Sequence, residues 1–244
     1  DLSQVRLSGA LTPMFSLSPL ELEAIQLSLK VSLWAVAISL PFGIAVAWVL
    51  ARCEFPGKSL FDALIHVPLV VPPVVIGYLL LVLLGRKGAI GGWLYDSFGI
   101  TVAFSWQGAA VAAAVMAFPL MVRAIRLSIE AIDTRLEQAA RTLGAGPIDV
   151  FFSITLPLTG SGIVVGVILA FARALGEFGA TITFVSAIPG ETTTLPVALY
   201  GLAQVPGQEG SAIRLVILSI VIAFAAMFVS EVIARRVRRR ISGT

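Results

Sequence analysis

Residues 136–158 read LEQAARTLGAGPIDVFFSITLPL, and this stretch joins two contrasting kinds of sequence. Its first part is short, charged and rich in alanine. Its second part belongs to a run without Asp, Glu, Lys or Arg that extends from 150 to 172. About 20 apolar residues are enough to cross the hydrocarbon core of a bilayer as a helix. The stretch therefore marks the place where a polar segment meets a membrane span.

The polar part has the pattern of a short, defined helix over about 134–144. Thr134 and Glu137 have the spacing of a capping box, in which each side chain accepts from the other residue's backbone N–H. Gly144, followed by Gly146 and Pro147, is a stop signal. One apolar stripe at helical spacing contains Leu136, Ala139, Ala140 and Leu143.

A helix this short is marginal alone in water, so its stripe needs a surface to pack on. In one interpretation the helix lies against its own membrane domain as a loop cap. In the other, its small-residue face binds a groove on a cytoplasmic partner. The spacing of the residues leaves both interpretations open.

The rest of the chain predicts an all-α integral membrane protein with a single domain over 1–244. Of its 244 residues 58% are hydrophobic and only 13% are charged, about half the usual charged fraction of a soluble domain. Each of the uncharged runs 31–51, 63–85, 97–122 and 150–172 is long enough to span, and a fifth run, 215–230, reaches that length with its flanks. We expect five spans, at about 27–51, 63–85, 102–122, 152–175 and 212–234.

Residues 178–208 are also poor in charge, but prolines and glycines interrupt them. We interpret them as a re-entrant or surface-lying segment, with a hidden sixth span as the alternative.

The basic residues predict the orientation, because Lys and Arg are retained on the cytoplasmic side. With the C-terminus inside, eleven Lys and Arg residues lie inside, including the run RRVRRR over 235–240, and four lie outside. The outside set is Arg6, Arg86, Lys87 and Arg214. We therefore expect an N-terminus outside the cell membrane and a cytoplasmic C-terminus that contacts anionic lipid rather than nucleic acid.

No pattern of catalytic or metal-binding residues accompanies the spans. His66 is the only histidine and Cys53 the only cysteine, and GKS at 57–59 lacks the preceding glycine of a phosphate loop. We therefore expect no enzyme activity, no cofactor and no metal site. A proton-coupled carrier needs charged residues within its spans, and these are nearly missing.

Gln138-Ala-Ala, Gly144, Ile154 and Leu156-Pro157 resemble, at full spacing, the EAA loop of ABC-importer permeases, with Gln138 in place of the usual Glu. PLVVPPVVIGYLLL, MAFPLMVRAIR and ARALGEFGATITFVSAIPGETTTLP are similar to the ModB family of molybdate-importer permeases. The resemblance covers essentially the whole chain. ALGEFGA is shared with sulfate-importer permeases, and TITFVSAIPGET favours molybdate.

The resemblance implies a homodimeric inner-membrane permease that works by alternating access. Its expected partners are two copies of a cytoplasmic ATPase subunit, a periplasmic molybdate-binding protein, a second copy of the chain and membrane lipid. The ATPase-coupling residues implied are Glu137, Gln138, Ala139, Ala140, Leu143 and Gly144. The implied substrate is molybdate, with tungstate as a second dianion of similar size. The alternatives are a sulfate or thiosulfate permease and, from another class, a secondary anion carrier.

Two further groups are of interest in the fourth span. Arg173 and Glu177 stand four residues apart, so they can pair, and Arg173 is either an interfacial anchor or a cation at the outer mouth. With Thr181 and Thr183 they are our candidates for the pore or gate. Gly162 and Gly166 lie on one helix face and allow close approach of another helix, within one subunit or across a dimer.

Overall fold

A computed structural model describes residues 18–241, and every regular element in that range is helical. Arg6 lies outside the described residues, and so do the side chains of residues 236–240 in the basic run. The elements are α1 (Pro19–Arg52), α2 (Lys58–Val70), α3 (Pro73–Leu84), α4 (Ala89–Phe98), α5 (Trp106–Glu130), α6 (Thr134–Thr142), α7 (Pro147–Val150), a π-helical turn (Phe151–Thr155), α8 (Leu156–Leu158), α9 (Gly160–Leu175), α10 (Gly179–Val185), α11 (Leu195–Ala203) and α12 (Glu209–Ile241). The prediction of an all-α membrane fold is confirmed.

Helices α1 and α5 form the centre of the bundle and run parallel to each other. Near the start of α5, the Lys30 ammonium of α1 lies 3.7 Å from the ring centroid of Trp106. At the other end, Nη2 of Arg52 lies 3.0 Å from the carbonyl oxygen of Ile129. We call the latter the α6 end of the bundle. The chain between α1 and α5 must therefore cross back from the α6 end to the opposite end.

Helix α9 runs antiparallel to α5, and two glycines allow the close contact. A Cβ on Gly162 would collide with the side chain of Ser128, and one on Gly166 would lie 3.1 Å from Cγ1 of Ile125. The face predicted from Gly162 and Gly166 thus packs within one chain. Helix α12 begins at the opposite end, where Arg214 pairs with Glu21 of α1, and it returns toward the α6 end. The described chain crosses between the two ends five times.

Two crossings are bent rather than continuous. Helices α2 and α3 meet at 113°, and the segment α7–α8 meets α9 at 67°. The predicted spans over 63–85 and 152–175 thus each contain a bend between two helical segments. Val71 and Pro72 each precede a proline, which disfavours the helical backbone, and both are extended here with ψ of 138° and 134°. Of the described helices, α1, α5 and residues 209–229 of α12 are long and apolar enough to span singly.

Residues 178–208 form two short helices, α10 and α11, instead of a sixth span. Helix α10 packs against α3 at very short range, since a Cβ on Gly77 would lie 2.5 Å from the carbonyl oxygen of Ala180. Helix α11 is held at its first residue, where the Leu195 N–H donates to Oγ of Ser28 over 2.7 Å. The segment therefore packs into the opposite end of the bundle.

Candidate functional site

Helix α6 covers Thr134–Thr142, and its first turn differs from the prediction. Asp133, not Thr134, is the N-cap, and its Oδ1 accepts from the Arg135 N–H over 2.9 Å. The expected capping box between Thr134 and Glu137 is wrong for two reasons. Asp133 already occupies the capping position, and the Glu137 carboxylate is engaged elsewhere.

The apolar stripe of α6 is largely exposed. Leu136 is 49% exposed and Leu143 is 89% exposed, while Ala139 is exposed and Ala140 half-buried. Gln138 is also exposed. Gly144 ends the helix with a φ of +92°, a conformation that non-glycine residues rarely adopt, and its surroundings are open. Of the two interpretations of the stripe, its exposure favours a partner surface.

Glu137 is the only buried residue of α6, at 7% exposure. Its Oε1 accepts from Nε of Arg52 over 3.1 Å and from Oγ1 of Thr155 over 2.9 Å. Arg52 is the last residue of α1, and Thr155 ends the π-helical turn. The sequence analysis missed Arg52 and Thr155 because they are 85 and 18 residues away from Glu137, and no local pattern links such positions.

The structure brings two of the four pore or gate candidates into contact. Nη1 of Arg173 lies 2.5 Å from Oε2 of Glu177, so the two side chains form an ion pair. Oε2 accepts no hydrogen bond from the described residues in this arrangement. The other carboxylate oxygen of Glu177, Oε1, accepts from the Ala180 N–H over 2.9 Å. Glu177 and Thr181 are buried, at 3% and 1% exposure. Thr183 donates to the Gly179 carbonyl, and Arg173 is half-buried. Their role in a pore stays a prediction.

Comparison with known proteins extends these observations. The family described as "Binding-protein-dependent transport system inner membrane component" matches residues 39–239. The molybdenum transport system permease protein ModB of Escherichia coli K12 is 66% identical over 220 residues, which cover 90% of this chain and 96% of that protein. The sulfate transport system permease protein CysW of Synechocystis is 38% identical over 201 residues, 81% of this chain and 72% of that protein.

Among solved structures, a bacterial alginate ABC transporter, in complex with an alginate pentasaccharide-bound periplasmic protein, is similar with a TM-score of 0.72. The match covers 90% of this chain and 80% of the other at 18% identity, and it therefore supports the fold alone.

Proposed function

Because the chain belongs to the family of binding-protein-dependent transport system inner membrane components, we propose that it is the permease subunit of an ABC importer for molybdate. The observation that supports molybdate as the substrate is the sequence identity of 66% with an Escherichia coli permease named for molybdenum, over nearly the full length of both chains. The identity of 38% with a sulfate permease of Synechocystis makes sulfate the second candidate. Tungstate is a further candidate substrate, because it is a dianion of similar size to molybdate.

Competitive uptake tests the substrate. The permease, reconstituted in proteoliposomes with its ATPase and binding protein, should import labelled molybdate, and unlabelled tungstate should compete better than sulfate. If the complex imports sulfate in preference to molybdate, the substrate assignment is wrong and sulfate takes its place. Anion uptake without ATPase or ATP would instead support the secondary carrier.

The proposed partner at the α6 end is an ATPase subunit in the cytoplasm, one for each of two permease copies. The exposed stripe with Leu136, Ala139 and Leu143 supports this partner, because an apolar face of small residues fits a groove on another protein. Gln138, Ala140 and Gly144 complete the proposed contact. ATP binding would draw the two α6 helices together and open the pore outward, and hydrolysis would reset it inward.

Gly144→Val tests this partner. The change should weaken co-purification of the ATPase while the permease stays folded, because valine at a φ of +92° costs about 1–2 kcal/mol and displaces the turn after the stripe. Gly201→Val is the matched control, since this glycine lies in α11 with open space around it. Normal ATPase binding by Gly144→Val would contradict the proposed contact.

The opposite end is then proposed to face the periplasm and the oxyanion-binding protein, which places the N-terminus outside and the C-terminus inside. The excess of basic residues on the side of the α6 end supports this orientation. Arg173 is proposed to attract the incoming dianion near this mouth. The pore itself is expected to hold the anion weakly, because selection belongs to the binding protein.

A further inference from the structure

The carboxylate of Glu137 links helix α6 to the membrane helices by hydrogen bonds. Arg52 and Thr155 belong to other elements, and both donate a hydrogen bond to Glu137. The two bonds share one acceptor, the carboxylate oxygen Oε1. The ion pair is largely removed from water, with side-chain exposures of 15% for Arg52 and 9% for Glu137. A charge-assisted hydrogen bond in such surroundings is stronger than a neutral or solvent-exposed one.

Arg52 joins α6 to two of the membrane crossings. It is the last residue of α1, and its Nη2 donates to the carbonyl oxygen of Ile129, over 3.0 Å, at the end of α5. The same Nη2 donates to the carbonyl oxygen of Ile132, over 3.4 Å, in the turn that follows α5. The guanidinium group is planar and presents its donors in a fixed fork, so Nε and Nη2 hold their acceptors in a defined relative position. Motion of α6 therefore acts on the ends of α1 and α5.

Thr155 joins the same carboxylate to the bent fourth crossing. It closes the π-helical turn Phe151–Thr155, and it is 1% exposed. Its own carbonyl accepts from Oγ1 of Thr159 over 2.6 Å, at the junction where α9 begins. Single π-helical turns within α-helical segments are frequent at functional sites. Thr155 is thus placed between α6 and the bend of 67°.

We propose that Glu137, Arg52 and Thr155 form a junction that makes α6 move as one body with α1, α5 and the start of the fourth crossing. This part of the proposal rests on the proposed function: the junction transmits the motion of the ATPase to the pore. Arg52 and Thr155 are positioning residues in this scheme, since they act through Glu137 and not through contact with the transported anion or the ATPase.

The substrate-independent test measures how firmly α6 is held. Spin labels at Glu54→Cys, beside α1, and Arg141→Cys, on α6, in a Cys53→Ser background, report the distance between the two elements. The complete complex should give a narrow distance distribution with the parent junction. Thr155→Val, which keeps the shape and removes the hydroxyl, and Glu137→Gln should broaden it. An unchanged distribution in both variants would overturn the junction.

Two controls separate the hydrogen bond from packing and from charge in general. Thr155→Ser retains the hydroxyl and loses the methyl, so it should keep the narrow distribution. Glu130→Gln removes the carboxylate of another ion pair at the α6 end, with Arg126, and should also leave the distribution unchanged. If Thr155→Ser broadens the distribution as much as Thr155→Val, packing and not the hydroxyl holds α6, and the proposal is wrong.

The coupling test compares uptake with ATP hydrolysis in proteoliposomes. Molybdate imported per ATP should fall about fivefold in Thr155→Val, the factor that one typical hydrogen bond accounts for, and stay at the parent value in Thr155→Ser. An equal fall of uptake and hydrolysis would contradict transmission through the junction. If the parent complex imports no molybdate while the distance distribution still broadens in the variants, the proposed function fails and the attachment of α6 stands.

Discussion

Ser18 to Glu21 and Thr134 to Glu137 lie at opposite ends of the bundle, and each places a hydroxyl residue three positions before a glutamate. At the first site Ser18 and Glu21 form a complete capping box, with Oγ of Ser18 accepting from the Glu21 N–H over 3.2 Å and Oε2 of Glu21 accepting from the Ser18 N–H over 2.8 Å. At the second site no box forms, because Asp133 takes the capping position.

Both glutamates pair with a distant arginine at the same distance. Glu21 Oε1 lies 3.1 Å from Nε of Arg214, and Glu137 Oε1 lies 3.1 Å from Nε of Arg52. The difference is in the second role of each carboxylate. Glu21 uses its other oxygen to start its own helix, whereas Glu137 binds Thr155 and joins separate elements. One pattern can therefore serve local folding at one end and tertiary attachment at the other.

Glu21→Ala should have the largest effect on stability. It removes the Glu21 half of the capping box, while Oγ of Ser18 still caps the helix, and it separates an ion pair whose carboxylate is 2% exposed, so we expect a total loss of about 2–3 kcal/mol. The midpoint of thermal unfolding in detergent measures it. The control is Glu23→Ala, because the Glu23 side chain lies on the same turn and is exposed. An equal loss of stability in Glu23→Ala would show that Glu21 has no special role.

Glu137→Ala should cost less stability, about 1–2 kcal/mol, because only the tertiary contacts are lost and the start of α6 is capped by Asp133. The same unfolding measurement compares it with Glu21→Ala. A loss as large as that of Glu21→Ala would mean that Glu137 also supports its own helix, and the contrast between the two ends would disappear.

Asp133→Ala should destabilise α6 by about 1 kcal/mol through loss of its N-cap. Hydrogen exchange of the amides over residues 134–142 measures this local effect, and exchange over α5 should stay unchanged. Asp133→Asn retains a capping side chain and should restore the protection. Unchanged exchange in Asp133→Ala would show that another residue caps α6.

Thr134→Ala should have the smallest effect, within about 0.5 kcal/mol, as is usual for an exposed position without a special contact. The same exchange measurement applies. If Thr134→Ala accelerates exchange as much as Asp133→Ala does, the capping box exists after all and the two sites are alike.

Part of this structure follows from local sequence. The length of the uncharged runs predicts the five crossings, and the spacing of Leu136, Ala139 and Leu143 predicts the stripe of α6. The pairing of Arg173 with Glu177 follows from their separation of four residues along one helix. Each of these features depends only on neighbours in the chain.

The rest depends on contacts between distant segments. The pairing of Arg52 with Glu137 requires the parallel packing of α1 and α5, which no local pattern encodes. The break at Val71 and Pro72 shows the same limit, because a proline in a membrane helix can produce a mild kink or a sharp bend, according to what packs around it.

The parallel arrangement of α1 and α5 has an electrostatic consequence for Arg52. Both helices end at the α6 end, so the negative ends of two macrodipoles lie side by side there. A guanidinium group in that place is favoured by about 0.3–1 kcal/mol from each helix, independently of any carboxylate. Arg52 would accordingly keep its charge and its position when Glu137 is removed, and it would be ready to bind the next anionic group that approaches this end.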